Sequence, residues 1–222
     1  MPPISLRWAD AILNTEILLR SGFLSPAPGR YLYEQASQVA VVDVSYNSYF
    51  GGTSITGHGY DLYDGTHRAE AGAVLIENYN APSALRMEKG RWVDRLYLKL
   101  IAEDLAQSRN RVILSNDSAS LEWFGHDDYA HRGLARAREA LIGILPPGVE
   151  GVGFSEIAPT EAHIQGTHRM GLDPADSVVG PDLVTHECGN VLVLGTGCFP
   201  SCSPANPTLT LCALSLYAAS RL

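Results

Sequence analysis

The densest concentration of chemically competent side chains is Glu161-Ala162-His163-Ile164-Gln165-Gly166-Thr167-His168-Arg169-Met170-Gly171, a loop-like stretch between Pro159 and Pro174. Two histidines, an arginine and two glycines suit a site where a proton moves, because imidazole titrates near neutral pH and can take a proton from a substrate. A solvated surface loop would carry the same residues, and spacing alone does not separate the two readings. Further on stands Asn206-Pro207-Thr208-Leu209-Thr210. Asn before Pro is a common helix start, with Asn as cap and Pro at the first helical position. In the alternative reading the Asn206 amide points into a cavity, while the N–H groups of Thr208 and Leu209 aim the helix dipole at a partly negative ligand group. One amide does not fully serve both roles.

Other clusters are weaker. His126-Asp127-Asp128 with His131 could be drawn as metal ligands, but acids at a helix N-terminus are explained by the dipole alone. His186-Glu187-Cys188 has no second ligand pair at zinc spacing and reads as a turn. Metal-dependent hydrolysis by the scattered histidines is therefore the least favoured reading. Tyr60 and Tyr63, with Gly51-Gly52 and Gly57-His58-Gly59, read as hairpin loops. Cys188, Cys198, Cys202 and Cys212 form no C-x-x-C pair and read as small buried hydrophobes rather than a zinc or disulfide framework.

The elements that must hold these residues follow from periodicity. Trp8 to Ser21 is mostly apolar and stops at Gly22, which predicts a buried helix. Strand signals fill Tyr31 to Leu121: Val39 to Val44, Ala73 to Ile76, the alternating Leu96 to Ile101, and Val112 to Leu114. They predict a mainly antiparallel sheet. Leu134, Ala137, Leu141 and Ile144 at helical spacing predict an amphipathic helix over Asp127 to Leu145, which would cover one face of it. Val191-Leu192-Val193-Leu194, ending in Gly195-Thr196-Gly197, reads as a strand buried on both faces of an α/β sheet, followed by a helix from Asn206 to about Arg221. No G-x-G-x-x-G turn follows a strand anywhere, so the rest of that layer is expected to come from elsewhere.

The chain has 222 residues, 45% hydrophobic and 18% charged, which is a globular composition and excludes global disorder. A net charge of −8 and the absence of a Lys/Arg-rich run argue against sequence-independent nucleic-acid binding. No run approaches the length of a membrane span and the N-terminus lacks a signal-peptide pattern, so the expected location is cytoplasmic.

Taken in order, His163-x-x-Gly166-Thr167-His168-Arg169-Met170-Gly171, Asp173-Pro174 with Ser177-Val178-Val179, Asn190-Val191-Leu192-Val193, Phe199-Pro200 and Ala205-Asn206-Pro207-Thr208-Leu209-Thr210 closely resemble the C-terminal signature of the glucose-methanol-choline (GMC) oxidoreductases. Ala11-Ile12 with Ile17 to Gly22, Gly29-Arg30-Tyr31-Leu32, and Glu103-Asp104-Leu105 with Asn110-Arg111-Val112 resemble the family's middle segments. The family's N-terminal half, with its Rossmann turn, has no counterpart. Asp10 stands where the family usually has Gly, and Gln35 where it often has His.

The resemblance implies an FAD enzyme that oxidises an alcohol or a sugar. His163 would be the catalytic base and Asn206, 43 residues on, the hydrogen-bond partner of the same substrate oxygen. Asn206, Pro207 and Thr208 would sit at the pyrimidine end of the flavin, and Gly195 and Thr196 near its diphosphate or ribityl chain. The expected fold is α+β: an antiparallel-sheet substrate domain with helices, plus a C-terminal strand-loop-helix piece of an α/β FAD-binding domain. By segments, 1–30 is a residual piece of the FAD domain, 31–155 the substrate domain and 156–222 the return to the FAD domain. The alternative function is a truncated or split chain, inactive alone, that serves as a complementing subunit to a chain carrying the Rossmann half.

Overall fold

A computed structural model of the chain describes residues 5–8, 10–24, 28–48, 55–79 and 93–221. Among the described residues the fold is α+β, with a five-stranded antiparallel sheet and three α-helices. Contacts divide the chain into two compact units, one made of 1–34, 105–127 and 162–222, the other of 35–104 and 128–161.

The second unit is the sheet. Its strands β2 (Ala36–Val44), β3 (Ile55–Gly59), β4 (Val74–Tyr79), β5 (Arg95–Ala102) and β8 (Val149–Phe154) run in the order β3-β4-β5-β2-β8. Alternation decides its core. Ala40, Val42 and Val44 of β2, Leu96, Leu98 and Leu100 of β5, and Val74 and Ile76 of β4 all turn to one face. There they meet Ala130, Leu134, Ala137 and Leu141 of helix α2 (Asp128–Ile144). Each large side chain so buried contributes about 1.5–3 kcal/mol. The expected strands and the expected helix are all present, because their periods of two and 3.6 are local signals. β3 and β8 were not expected; the glycines of Gly57-His58-Gly59 mask a strand signal, yet β3 pairs with β4, placing His58 opposite Glu77.

The first unit holds the α/β fragment. Strand β1 (Ser5–Trp8) pairs in parallel with β9 (Val191–Leu194), Leu6 opposite Leu192. The predicted helix from Trp8 is corrected here: residues 5–8 are a strand, whose partner lies at the far end of the chain, and helix α1 (Ala11–Arg20) starts after Asp10. The Asp10 carboxylate accepts the N–H groups of Ile12 and Leu13 at 2.8 Å each. α1 buries Ala11, Asn14, Thr15 and Leu18 but leaves Leu13 and Ile17 exposed. The hairpin of β6 (Arg111–Ser115) and β7 (Ser118–Glu122) turns at Asn116 and Asp117, both at positive φ. It belongs to this unit rather than to the sheet that precedes it in the chain, because Leu32 N–H donates to Asn110 O and Val112 N–H to Gly29 O, both at 2.9 Å.

The closing helix α3 spans Thr208–Ala219. Its start corrects the sequence reading by one residue: Pro207, not Asn206, occupies the cap position, and no side-chain cap hydrogen bond closes the helix. Only Ala218 of α3 is buried, while Leu209 is 82% and Leu216 74% exposed. The cysteines are also not uniformly buried. Cys198 is, Cys188 and Cys202 are half-buried, and Cys212 is exposed on α3.

Candidate active site

The loop from Ala162 to Gly171 lies within the first unit and is strapped down along its length. Tyr33 and Gln165 exchange both backbone hydrogen bonds, at 3.1 and 3.0 Å. Gly29 N–H donates to Thr167 O at 2.6 Å, Thr167 N–H to Arg30 O at 3.1 Å, and the Thr167 hydroxyl to Ala11 O at 2.9 Å. On its other side the loop follows the segment after β9. Thr196 Oγ1 donates to Ile164 O at 2.6 Å, His168 N–H to Gly197 O at 3.1 Å, and Met170 N–H to Cys198 O at 2.7 Å. Gln165 Nε2 lies 3.8 Å from Cys202 Sγ. The loop that bears His163 is thus laced to the segment that carries Gly195 and Thr196 and leads into Asn206.

His163 is half-buried, and its N–H donates to both carboxylate oxygens of Glu34 at 2.8 Å. Glu34, only 6% exposed, is a site residue that the sequence reading missed. An acid at the end of a run such as Leu32-Tyr33-Glu34 carries no local sign of a partner so far along the chain. Tyr33 was missed too. It is fully buried, its hydroxyl donates to Phe199 O at 2.9 Å, and burial raises its pKa out of the physiological range.

The second histidine has a different environment. His168 is completely buried, its Nδ1 lies 3.2 Å from Thr167 Oγ1, and its Nε2 has no hydrogen-bond partner among the described residues. The ring lies on Gly197, where a Cβ would stand 2.0 Å from its Cε1. Burial pushes its pKa down to about 3, so the ring stays neutral. Arg169 is likewise engaged internally, its guanidinium 3.6 Å from the centre of the Tyr31 ring and paired with Asp176. The Tyr31 hydroxyl and then Arg169 hold the Asp176 carboxyl below the usual range. Burial pushes the Cys198 thiol up to about 12, so it is no thiolate nucleophile.

The groups expected near a flavin fit it unequally. Gly195 has φ +142°, a conformation that glycine tolerates and other residues rarely adopt, and it brings the backbone into the tight turn Thr196–Cys198. At α3 the first helical bond runs from Leu211 N–H to Pro207 O, so Thr208, Leu209 and Thr210 present N–H groups that no earlier carbonyl of the helix takes up. Asn206 is exposed beside them. Donors at an open helix N-terminus suit the carbonyl end of a flavin ring. The N-terminus of α1 does not suit a diphosphate, because the Asp10 carboxylate already occupies it.

In the second unit, the sheet face turned away from α2 carries Glu77 opposite Lys99 and Tyr79 opposite Tyr97. Lys99 Nζ lies 2.8 Å from Glu161, and the Tyr79 hydroxyl donates to Glu77 at 3.2 Å. Tyr60 and Tyr63 meet edge to face at 5.6 Å between centroids. Among the described residues no three His, Cys, Asp or Glu side chains gather as metal ligands, and no helix is long and apolar enough to cross a membrane.

Comparison with known proteins gives a consistent family. Residues 106–215 match the sequence profile of the GMC oxidoreductase family. A C-glycoside 3-oxidase of Arthrobacter globiformis is 28% identical, the alignment covering 96% of this chain and 44% of that protein. The fructose dehydrogenase large subunit of Gluconobacter japonicus is 35% identical over 54% of this chain and 24% of its own length. The crystal structure of pyridoxine 4-oxidase from Mesorbium loti superimposes with a TM-score of 0.63 at 16% identity, covering 98% of this chain and 51% of that one, a likeness of fold. The chain therefore spans less than half the length of these curated relatives.

Proposed function

Residues 106–215 form the C-terminal domain of a GMC oxidoreductase, and from that premise we propose that the chain is the active-site half of an FAD-dependent enzyme that oxidises a CH–OH group of a sugar or alcohol. The observation that carries this reading is the lacing of the His163 loop along the 196–202 segment, which leads directly to the uncapped N-terminus of α3. A base and a row of unused N–H donors are thereby held on one continuous support.

The chemistry that FAD would supply when bound is that of a hydride acceptor. His163 takes the proton of the substrate hydroxyl, which lowers the cost of removing hydride from the adjacent carbon. The Asn206 amide hydrogen-bonds the same oxygen and stabilises charge that develops on it. Pro207 and Thr208, at the start of α3, would hold the carbonyl end of the ring through the N–H groups of the helix's first turn, and Gly195 and Thr196 would allow close backbone approach to the cofactor. The five-stranded sheet is the substrate-binding domain. Its polar and aromatic face, with Tyr79, Tyr97, Glu77 and Lys99, and the likeness to a C-glycoside 3-oxidase and a fructose dehydrogenase, favour a sugar over a small aliphatic alcohol.

The Asp10 cap and the exposed apolar residues of α1 and α3 support a second element of the reading. The chain works joined to, or complemented by, a half that carries the Rossmann phosphate turn, and is inactive alone. The test is anaerobic bleaching of the flavin band by a panel of sugars and alcohols, with the chain united with such a half. Bleaching by sugars is expected; no bleaching by any CH–OH donor would overturn the proposal.

A further inference from the structure

The residue before His163 has an unusual backbone. Ala162 sits at φ +59°, the left-handed region that residues with a Cβ rarely occupy, and such conformations persist only where the surroundings hold them. The kink turns the following peptide so that His163 N–H meets the Glu34 carboxylate. Both oxygens accept it at 2.8 Å, and the acid is almost wholly buried. A hydrogen bond to an ionised acceptor is stronger than a neutral one, and burial removes the water that would compete for the N–H. The course of the loop as a whole does not depend on this bond, since the Tyr33–Gln165 pair and the Thr167 contacts already fix it. The carboxylate acts at the peptide that sets the direction in which the His163 side chain leaves the backbone.

We infer that Glu34 is a positioning residue: its carboxylate holds the 162–163 peptide in the left-handed kink and so aims the His163 imidazole. This rests on the reading of His163 as the base. A base displaced by about 1 Å can lose on the order of a hundredfold in rate even when the substrate still binds. Loss of the clamp therefore acts on the chemical step and leaves binding largely intact. It also predicts an unusual rescue, because glycine at position 162 adopts a positive φ without help.

The experiment uses the complete FAD-loaded protein. Glu34→Ala is expected to slow flavin reduction by about 10- to 100-fold with KM changed less than about threefold. Adding Ala162→Gly to it should recover at least about threefold of the rate, a gain that a general loss of stability would not give. Native-state hydrogen exchange supplies a readout independent of turnover: His163 N–H should lose protection in Glu34→Ala while Gln165 N–H keeps it. Should Glu34→Ala fail to fold, Glu34→Gln carries the test, since it retains the volume and one acceptor oxygen, and a lowered rate at unchanged KM is expected. A wild-type reduction rate despite lost protection at His163 would overturn the inference while leaving His163 as the base. Full activity in His163→Ala would overturn both.

Discussion

Acidification should destabilise this protein through His168 in a way that can be isolated. The ring is fully buried and its pKa in the fold is about 3, against about 6.5 in an unfolded chain. Between these values the unfolded state binds a proton that the folded state refuses, so stability falls as pH falls. The slope approaches 1.4 kcal/mol per pH unit, begins near pH 6.5 and ends near pH 3. From pH 7 to pH 5 this one residue should cost about 2 kcal/mol, or about 4–8 °C in Tm for a chain of this length. Other groups titrate over the same interval, so the quantity to measure is a difference. Urea unfolding of wild type and His168→Gln at pH 7 and pH 5 gives two stability gaps. The packing defect that the substitution creates against Gly197 enters both gaps equally and cancels. The gap should shift by about 2 kcal/mol in favour of the variant at the lower pH. An equal gap at both pH values would show that His168 exchanges protons freely, and the buried, neutral assignment would be refuted.

Three further outcomes follow from the geometry. Gly197→Ala places a Cβ 2.0 Å from the His168 ring and should cost about 3 kcal/mol or more in denaturant unfolding. Asn206→Ala should slow flavin reduction about tenfold or more while the flavin stays bound, which stopped-flow reduction and the flavin absorbance of one preparation check together. The chain expressed alone should bind a hydrophobic dye through the exposed apolar residues of α1 and α3, among them Leu13, Ile17, Leu209 and Leu216, and lose that signal when a Rossmann-bearing half is supplied.

What could be read from the sequence was what repeats locally. β2, β4, β5 and α2 announce themselves because alternate residues, or every third and fourth, must face one core. β1 does not, because four residues next to an apolar helix become a strand only when β9 offers a parallel edge from the other end of the chain. The Asn206-Pro207 pair points to the right helix but not to its first residue, since a capping preference is decided by geometry that the preference itself does not contain. The histidines of the 161–171 loop are alike in the sequence and differ in the fold. His168 is enclosed by Gly197 and Thr167, while His163 is half-buried and held through its backbone by Glu34. Nothing in the residues from Glu161 to Gly171 names Glu34 as a partner, and nothing marks Ala162 and Thr167 as left-handed, because both follow from long-range hydrogen bonds. The family resemblance reached further than periodicity because it compares a whole order of motifs, and it located the segments that the structure laces together.

The most direct test of the account is the rate of flavin reduction in a single anaerobic turnover, comparing His163→Ala with wild type in the complete FAD-loaded protein and using His168→Ala as the control. The account predicts a fall of about two to four orders of magnitude for His163→Ala, the usual contribution of a positioned acid–base group, with the flavin still bound. His168→Ala should alter stability far more than rate. A wild-type rate in His163→Ala, or losses of equal size at both histidines, would contradict the assignment of His163 as the base.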